Sequence, residues 1–498
     1  MEHLDVLVVG AGLSGIAAAH HLQEKCPWAT YAIFEARDAI GGTWDLFRYP
    51  GIRSDSDMFT LGYSFRPWDG AKSIAAGGDI LQYIKDTAAA EGIDQRIRFH
   101  HRITAADWST EDARWHVTAE RTDTGEAVEL TCAFLFSCSG YYRYDQGYLP
   151  EWDGMDRFGG TWVHPQAWPQ DLELAGKRVV VIGSGATAIT LVPSLAPMAA
   201  HVTMLQRSPT YVMALPTTDP LANLVRRILP DKVSGPLIRW QHALMSQGMY
   251  RLSRRRPDLI KKILRKGLER GLPAGFDIDK HFTPTYDPWD QRLCVVADGD
   301  MFKAIKHGTA SVVTDTIDTF TETGIRLASG EELEADIVIT ATGLELLFLG
   351  GIDLTVDGEK VDPAGKLSYK GMMLQDVPNL ALALGYTNAS WTLKAELTCD
   401  YVCRLLNHLR TSGYRQCTPV DDVGMGSDEP VFGLSSGYVT RAADRLPKQG
   451  KAFPWQVHQS YLADYRIMKR SKVDDGVMRF TNPRPTAATR AADPVGAA

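Results

Sequence analysis

The stretch LDVLVVGAGLSGIAAAHHL, residues 4–22, decides the fold of this chain. A short apolar, β-branched run is followed by Gly10, Gly12 and Gly15 and then by a helical pattern. In such a unit the first glycine permits a tight turn, the second lets the backbone approach a pyrophosphate, and the third lets the helix pack on the strand. The spacing predicts a strand–turn–helix unit whose free N–H groups, at the start of the helix, face the phosphates of a dinucleotide.

The following strand carries an acid at the distance that a dinucleotide site requires. The segment YAIFEAR, residues 31–37, ends near Glu35, twenty residues after Gly15. At this position an acid accepts hydrogen bonds from a ribose diol. A turn before a buried helix would not explain that acid, so we predict dinucleotide binding here.

The same pattern recurs in RVVVIGSGATAITLVPSL, residues 178–195, with Gly183, Gly185 and Ala188 in the GxGxxA variant. The next strand, HVTMLQRSP, ends with Arg207 and Ser208 instead of an acid. An arginine at this position can hold a 2′-phosphate with two hydrogen bonds, which favours NADPH over NADH. The alternative is an ordinary surface arginine with no role in coenzyme binding. Two sites with different ribose chemistry predict a flavoprotein in which NADPH reduces bound FAD.

Composition limits the other classes of protein to which this chain could belong. The chain has 498 residues, enough for two or three domains, and its 44% hydrophobic and 23% charged residues are typical of a globular protein. Its 53 basic and 60 acidic residues give a net charge of −7, which speaks against a nucleic-acid partner. The seven cysteines form no CxxC pair, so we expect no metal site and no dithiol centre. No signal peptide and no apolar run of about 18 residues is present, which predicts a cytoplasmic protein.

Two longer motifs carry a family resemblance. FGGTWVHPQAWP, residues 158–169, matches FxGxxxHxxxW followed by Pro, and GGTWDLFRYPGIRSD, residues 41–55, matches Gly-x-Trp, an aromatic-Pro-Gly and an Asp. In both motifs the chain resembles the flavin-dependent Baeyer–Villiger monooxygenases, which are class B flavoprotein monooxygenases. Residues 281–305, 370–397 and 446–455 are similar to the subgroup that contains the mycobacterial ethionamide-activating monooxygenase.

The resemblance implies FAD and NADPH as cofactors and assigns residues to each. For FAD it implies Ser14, Glu35, Thr43, Trp44, Asp45, Leu46 and the backbone of Ile103. Where flavin and nicotinamide meet, it implies Arg53, Ser54 and Asp55. For NADPH it implies Gly183, Ser184, Gly185, Ala186, Thr187, Ala188, Ile189, Arg207 and Ser208. Many relatives have a lysine where this chain has Gln291, so NADPH selectivity is expected to depend more on Arg207.

The implied reaction is a Baeyer–Villiger oxidation. A C4a-peroxyflavin, formed with O2, inserts one oxygen next to a ketone carbonyl and gives an ester or lactone, with sulfoxidation as a side activity. The resemblance makes Arg292 the catalytic arginine, whose permanent charge stabilises the peroxide and the tetrahedral adduct, with Asp55 orienting it. It makes His164 a hydrogen-bonding pivot. The alternative for Arg292 is a structural ion pair with Asp287 or Asp290.

Other functions remain open at this point. One is an oxygenase acting mainly on sulfides or thioamides, and another is a non-catalytic flavin-binding regulator. The intact set Asp55, His164 and Arg292 argues against the regulator. Four tryptophans would either line a substrate pocket or belong to the core: Trp44, Trp162, Trp168 and Trp391.

The predicted architecture is α/β, with two interleaved Rossmann-like dinucleotide-binding domains and a helical insertion. We expect an FAD domain at 1–145 and 375–482, an NADP domain at 150–374 with an insertion at about 215–285, and a disordered tail at 483–498. Residues 251–270 contain nine Lys or Arg against two acids. A solvated helix face is the default interpretation, and peripheral contact with anionic membrane lipids is the alternative.

Overall fold

The structure is a computed structural model, and it describes residues 1–291, 293–433 and 435–482. The catalytic role predicted for Arg292 and the disorder predicted for residues 483–498 therefore lie outside the described residues.

The helices of the described chain are α1 (Leu13–Lys25), α2 (Thr43–Leu46), α3 (Met58–Leu61), α4 (Gly77–Ala90), α5 (Ala186–Leu195), α6 (Pro220–Ile228), α7 (Asp231–Arg255), α8 (Pro257–Gly271), α9 (Ile278–Phe282), α10 (Asp300–Lys306), α11 (Trp391–Ser412), α12 (Gly437–Thr440) and α13 (Tyr461–Arg470). The strands up to residue 215 are β1 (Glu2–Val9), β2 (Tyr31–Phe34), β3 (Ile97–Arg98), β4 (His101–Ser109), β5 (Arg114–Arg121), β6 (Ala127–Ser137), β7 (Thr161–Val163), β8 (Arg178–Ile182), β9 (His201–Gln206) and β10 (Val212–Leu215). The strands after residue 290 are β11 (Cys294–Ala297), β12 (Ala310–Thr314), β13 (Ile317–Phe320), β14 (Gly324–Leu327), β15 (Glu332–Glu334), β16 (Ile337–Thr340), β17 (Asp353–Val356), β18 (Glu359–Lys360), β19 (Ser368–Tyr369), β20 (Met373–Leu374), β21 (Leu380–Leu382), β22 (Gln416–Pro419), β23 (Gly426–Pro430), β24 (Lys448–Gly450) and β25 (Met478–Thr481).

The first large sheet has the order β18-β17-β4-β5-β6-β1-β2-β3, with β21 also beside β6. Its centre is parallel: β1 pairs with β2 and β6, and β21 pairs with β6. Residues 6–9 of β1 are all buried, because Val6 and Val8 pack in one hydrophobic cluster and Leu7 and Val9 pack in another. Strands β17 and β21 belong to the same sheet, although strands β7 to β16, which belong to other sheets, separate them from β6 in the sequence.

The second sheet, β12-β9-β8-β16-β7, is parallel throughout. Its core includes Val179, Val181, Ile189 and Val192, from β8 and the helix α5 that follows it. One sheet with a parallel centre and one fully parallel sheet, each with a glycine turn after a central strand, confirm the predicted fold of two interleaved Rossmann-like domains. The exact domain limits stay a prediction.

Helices α6 to α9 lie between β10 and β11, which pair with each other in parallel, and this confirms the helical insertion. One face of α7 packs on the first domain. There Arg239 forms a buried ion pair with Glu396 and donates hydrogen bonds to the carbonyl oxygens of Phe59 and Thr60. No helix in the described ranges has both the length and the apolar character needed to cross a bilayer.

The cysteines belong to the core. All seven are buried, including Cys399 and Cys403 on one face of α11. Burial raises the pKa of Cys132, Cys138, Cys399 and Cys417. The hydrogen bond from Cys26 to Cys403 instead lowers the pKa of Cys26.

Candidate active site

The first glycine turn is shaped for a close approach of backbone atoms. Gly10 has φ +96°, and a Cβ on it would lie 2.8 Å from the carbonyl oxygen of Cys138. A Cβ on Gly15 would lie only 1.8 Å from the carbonyl oxygen of Gly10, so α1 can pack on β1 only with glycine there. Gly12 precedes α1, and no side chain caps the free N–H groups of the first turn. These groups are a ready site for the phosphates of a dinucleotide.

The second signature folds onto this turn. The N–H of Gly41 donates to the carbonyl oxygen of Ala11 at 3.0 Å, and a Cβ on Gly42 would lie 3.1 Å from the Cα of Gly12. Residues 43–46, including Trp44 and Leu46, form the short helix α2 directly afterwards. The Oγ of Thr43 lies 3.4 Å from the hydroxyl of Tyr144. The segment predicted to surround FAD is therefore held against the first glycine turn.

Asp45 is buried in this short helix and is paired with two cations. Its carboxylate lies 2.6 Å from Arg37 Nη2 and 3.2 Å from Arg48 Nη2. These pairs fix the orientation of α2, and the role of Asp45 towards FAD stays a prediction.

Glu35 is buried at the end of β2, beside the glycine turn. Its Oε2 accepts a hydrogen bond from the N–H of Ala11 at 2.8 Å, and its Oε1 accepts one from the N–H of Arg37 at 3.0 Å. Burial raises the pKa of Glu35, and the two backbone hydrogen bonds oppose that change. The N–H of His101 donates to the carbonyl oxygen of Glu35, which places the buried Ile103 of β4 close by. The role of Glu35 towards a ribose stays a prediction.

Ser14 has a partner that sequence reasoning missed. The indole Nε1 of Trp391, from the start of α11, donates to Ser14 Oγ at 2.8 Å. The ring of Trp391 also stacks on Tyr141 with centroids 5.1 Å apart. A residue 377 positions further along the chain thus stabilises the first glycine loop.

The second glycine turn repeats the geometry in the other sheet. Gly183 has φ +132°, and a Cβ on it would lie 2.3 Å from the carbonyl oxygen of Ala341. Gly185 precedes α5, whose first turn, Ala186 to Ile189, has no side-chain cap. No atom of the described chain lies within 4 Å of a Cβ built on Gly185, so the space above this turn is open.

Arg207 and Ser208 directly follow β9 and are both exposed. Ser184 Oγ donates to the carbonyl oxygen of Ser208 at 3.2 Å, which joins this loop to the glycine turn. Arg207 forms no ion pair with any residue that the structure describes. Its guanidinium is available beside the turn, as a 2′-phosphate contact requires.

Tyr49 and Gly51 connect the two turns, although the sequence predicted no individual role for either residue. Burial raises the pKa of Tyr49 to about 12, while a hydrogen bond from Thr187 in α5 opposes that change. Asp55 lies close enough to Tyr49 to raise the same pKa further. A Cβ on Gly51 would overlap Ser194 of α5. The aromatic-Pro-Gly element of the second signature thus contributes to the contact between the two domains.

Arg53 lies on the same connecting segment. Its Nη1 is 2.5 Å from Asp300 Oδ2 at the start of α10, which belongs to the second domain. Its Nε and Nη2 are buried and have no hydrogen-bond partner among the described residues. The neighbouring Ser54 is buried, and its Oγ donates to the carbonyl oxygen of Ser56 at 2.7 Å. A buried guanidinium with two unused donors indicates a ligand with oxygen or nitrogen acceptors.

The fingerprint around His164 links the second sheet to residues 143–148. Residues 161–163 form the edge strand β7, and His164 Nδ1 accepts a hydrogen bond from the N–H of Gln166 at 3.2 Å. Burial lowers the pKa of His164, which favours the neutral ring, and Nε2 has no partner among the described residues. Gln166 donates to the carbonyl oxygens of Arg143 and Tyr144, both at 2.9 Å. The anchoring side chain is therefore Gln166, which the fingerprint does not specify.

The four tryptophans considered for a substrate pocket pack against hydrophobic clusters. Trp44 and Trp391 lie against the core of the first domain, and Trp168 and Trp162 lie against two clusters of the second domain. The structure therefore favours the core interpretation over the pocket.

The acids near Arg292 already have cationic partners. Lys261 Nζ lies 2.6 Å from Asp287 Oδ1, and Arg254 pairs with Asp290. Both cations come from the helical insertion. Each of the two acids thus has a cationic partner among the described residues.

Comparisons with known proteins agree with this arrangement. Residues 73–350 match the family described as flavin-binding monooxygenase-like, and residues 8–68 match the NAD(P)-binding Rossmann-like domain. The chain is 53% identical to the FAD-containing monooxygenase EthA of Mycobacterium tuberculosis over 481 residues, which cover 96% of this chain and 98% of the relative. It is 52% identical to EthA of Mycolicibacterium smegmatis, over 97% of this chain and 98% of the relative.

Solved structures share the fold over almost the whole chain. An oxidised steroid monooxygenase bound to NADP superposes with a TM-score of 0.77 at 22% identity, covering 96% of this chain and all of that one. An open structure of cyclohexanone monooxygenase gives 0.75 at 20% identity, covering 97% and 100%. The resemblance found in the two sequence signatures is confirmed.

Proposed function

We propose that this chain, which belongs to the flavin-binding monooxygenase-like family, is an FAD-containing, NADPH- and O2-dependent Baeyer–Villiger monooxygenase. It inserts one oxygen atom next to a ketone carbonyl, giving an ester or lactone, and also oxygenates sulfides. The observation that carries the proposal is Arg53, a buried guanidinium with two unused nitrogens on the segment that joins the two glycine turns.

The residues of the first turn fit FAD. Gly10, Gly12 and Gly15 form a cradle whose backbone packing leaves no room for a Cβ at Gly10 or Gly15, and the N-terminus of α1 offers uncapped N–H groups to a pyrophosphate. Glu35 and Ser14 lie at the ends of this cradle, where a ribose and a phosphate would contact them. The relatives named as FAD-containing support the same assignment.

The residues of the second turn fit NADPH. Gly185 leaves open space before α5, and Arg207 is exposed beside it. An unpaired guanidinium at the end of β9 suits the 2′-phosphate, which distinguishes NADPH from NADH. Arg53, anchored by Asp300, would then donate its unused hydrogen bonds where the two cofactors meet.

When bound, the cofactors supply hydride transfer and activated oxygen. The chain supplies position and charge: Asp300 holds Arg53, and Asp55 lies beside Tyr49 on the same segment. Arg292 would place a permanent positive charge where negative charge develops on oxygen during attack on the ketone.

The test is product analysis by mass spectrometry after incubation of the FAD-loaded enzyme with NADPH, O2 and matched pairs of ketones and thioethers. An ester or lactone whose added oxygen derives from labelled O2 would support the proposal. Sulfoxides without any ester from the matched ketones would instead assign the chain to sulfide oxygenation. NADPH consumption that no substrate stimulates would contradict both activities.

A further inference from the structure

The helical insertion presents large apolar side chains to solvent. Seventeen large hydrophobic residues are exposed in the described part of the chain, and eleven of them lie between residues 221 and 263. They include Leu224, Ile228, Leu237, Met245 and Ile263, which are 50–69% exposed. Single exposed leucines are common, but such a concentration on three consecutive helices is typical of an interaction surface. We call these eleven side chains the apolar helical face.

This face points away from the rest of the protein. In α7 the residues that contact the first domain, Ile238, Arg239 and His242, are buried, whereas Leu237 and Met245 are exposed. In α8 the exposed Ile263 is next to Leu264, which is buried against β10 and its neighbours. Each helix thus has one side in the protein and one apolar side in solvent.

The same helices are strongly basic. Residues 220–271 contain thirteen Lys or Arg and three acids, in a chain with a net charge of −7. Some of these cations are paired with acids of the protein, as Lys261 is with Asp287. Others are exposed and form no ion pair within the described ranges: Arg227, Lys232, Arg255, Arg256, Lys262 and Lys266.

We propose that the apolar helical face docks on an anionic lipid bilayer, with α6 to α8 lying in the headgroup region. Apolar side chains flanked by unpaired cations match the acyl boundary and the phosphates of such a surface. Two copies of this chain would bring two strongly basic insertions together, which disfavours a dimer through this face. The acidic remainder of the chain turns away from the anionic membrane, so charge also orients the bound protein.

Docking brings the membrane close to the candidate active site. The buried side of α7 contacts Asp57 and Phe59, a few residues after Arg53 and Asp55. If the proposed function holds, apolar ketones dissolved in the bilayer would have a short path to the site. The docking itself does not depend on that function, because it can be measured without turnover.

The experiment is flotation of the full-length FAD-loaded protein with vesicles. One set contains phosphatidylcholine alone, and the other contains about one-third phosphatidylglycerol. We expect binding to the anionic vesicles, weakened by salt, and little binding to the neutral ones. Failure of the wild type to float with the anionic vesicles would overturn the proposal.

Two triple variants separate the apolar and the charged contributions. Leu224→Gln, Leu237→Gln and Met245→Gln remove exposed apolar groups, and Arg255→Gln, Arg256→Gln and Lys262→Gln remove unpaired charges. Each charge near an anionic surface changes the binding constant roughly fivefold, so the charge variant should bind roughly 100-fold more weakly. An apolar variant that floats as well as the wild type would refute docking through this face.

A matched control variant and further measurements establish whether a loss of binding is specific to this face. Leu149→Gln, Met198→Gln and Val423→Gln change comparably exposed apolar residues elsewhere and should leave vesicle binding within about twofold. Thermal melting and bound FAD should match the wild type in all variants. A concentration-dependent dimer in sedimentation that the apolar variant abolishes, without vesicle binding by the wild type, would assign the face to a second copy instead.

Discussion

Arg53 Nη1 lies 2.5 Å from Asp300 Oδ2, and this ion pair joins the segment after the first glycine turn to a helix of the second domain. The other two guanidinium nitrogens of Arg53 are buried without a described partner. A side chain held in this way is pre-oriented for a ligand between the domains, because its remaining donors cannot turn to water.

The first prediction concerns this pair. Asp300→Asn should keep the fold but loosen Arg53, and Arg53→Ala should remove the donors altogether. Losing a charge-assisted hydrogen bond costs roughly 1.5 to 3 kcal/mol, so Arg53→Ala should lower kcat/KM for NADPH by about ten- to a hundredfold. Stopped-flow reduction of the flavin measures this. Arg102→Ala, which changes an exposed arginine paired with Glu120, is the control, and an equal loss there would contradict a specific role.

The second prediction separates binding from packing in the first glycine turn. Gly15→Ala would place a methyl group 1.8 Å from the carbonyl oxygen of Gly10, so we expect no soluble folded protein. Gly12→Ala meets only backbone atoms of Gly42, the nearest at 3.6 Å, and should fold, while a methyl group above the turn hinders FAD. Circular dichroism and the flavin content of the purified protein distinguish the two. Full flavin occupancy in Gly12→Ala would show that the pyrophosphate lies elsewhere.

The third prediction concerns coenzyme choice. Arg207→Ala should weaken NADPH by roughly 1 to 3 kcal/mol and leave NADH almost unchanged, since only NADPH carries the 2′-phosphate. Binding constants for both coenzymes in the same variant provide the measurement and its control. Equal losses for the two coenzymes would contradict the assignment of Arg207 to the 2′-phosphate.

The fourth prediction concerns Arg292. If its charge stabilises negative oxygen during ketone attack, Arg292→Ala should lower ester formation by about a hundred- to a thousandfold. Sulfoxidation should decrease less, because it does not require that charge, and FAD should stay bound. Rates of ester, sulfoxide and hydrogen peroxide formation test this together. Ester formation within a few-fold of the wild type would show that the catalytic charge lies elsewhere.

The fifth prediction concerns His242, which lies between two carboxylates. Its Nε2 is 3.1 Å from Asp219 Oδ2 and its Nδ1 is 3.4 Å from Asp57 Oδ1. Burial alone would lower the pKa of His242, but the hydrogen bonds and charges of these two acids outweigh it and raise the pKa. The stabilisation is therefore complete below the ordinary value of about 6.5 and is lost as the pH rises through the higher folded value.

His242→Gln should accordingly lower the free energy of unfolding by roughly 1.5 to 3 kcal/mol at about pH 6, and by much less at about pH 9. Urea unfolding at both pH values measures the difference. His307→Gln, at an exposed position, should be neutral at both. A loss for His242→Gln that is equal at the two pH values would mean that the charge of the ring does not contribute.

Local sequence patterns predicted the two glycine turns, their sheets and the helical insertion, because each depends on residues within one strand–turn–helix unit. The contacts that complete the site depend instead on residues that are distant in the sequence. Trp391 reaches Ser14 across 377 positions, and Asp300 reaches Arg53 across 247. Such partners depend on how α11 and α10 pack in the fold. No periodicity or spacing in the nearby sequence predicts this packing. Tyr49 lies in the second sequence signature. Its contact with Thr187 could not be predicted from that signature, because it depends on how the second domain packs against the segment.

The burial of all seven thiols has a consequence for an enzyme that handles reduced flavin and oxygen. Unproductive turnover releases hydrogen peroxide, and the thiolates it attacks most readily are shielded here. The exposed sulfur-containing side chains are instead methionines, including Met245 and Met249 on α7. Their oxidation to the polar sulfoxide would weaken the contact with lipid while the core around the cofactors stays intact. If the proposed function and the proposed membrane docking both hold, oxidation of these methionines would release the enzyme from the membrane before it inactivated the active site.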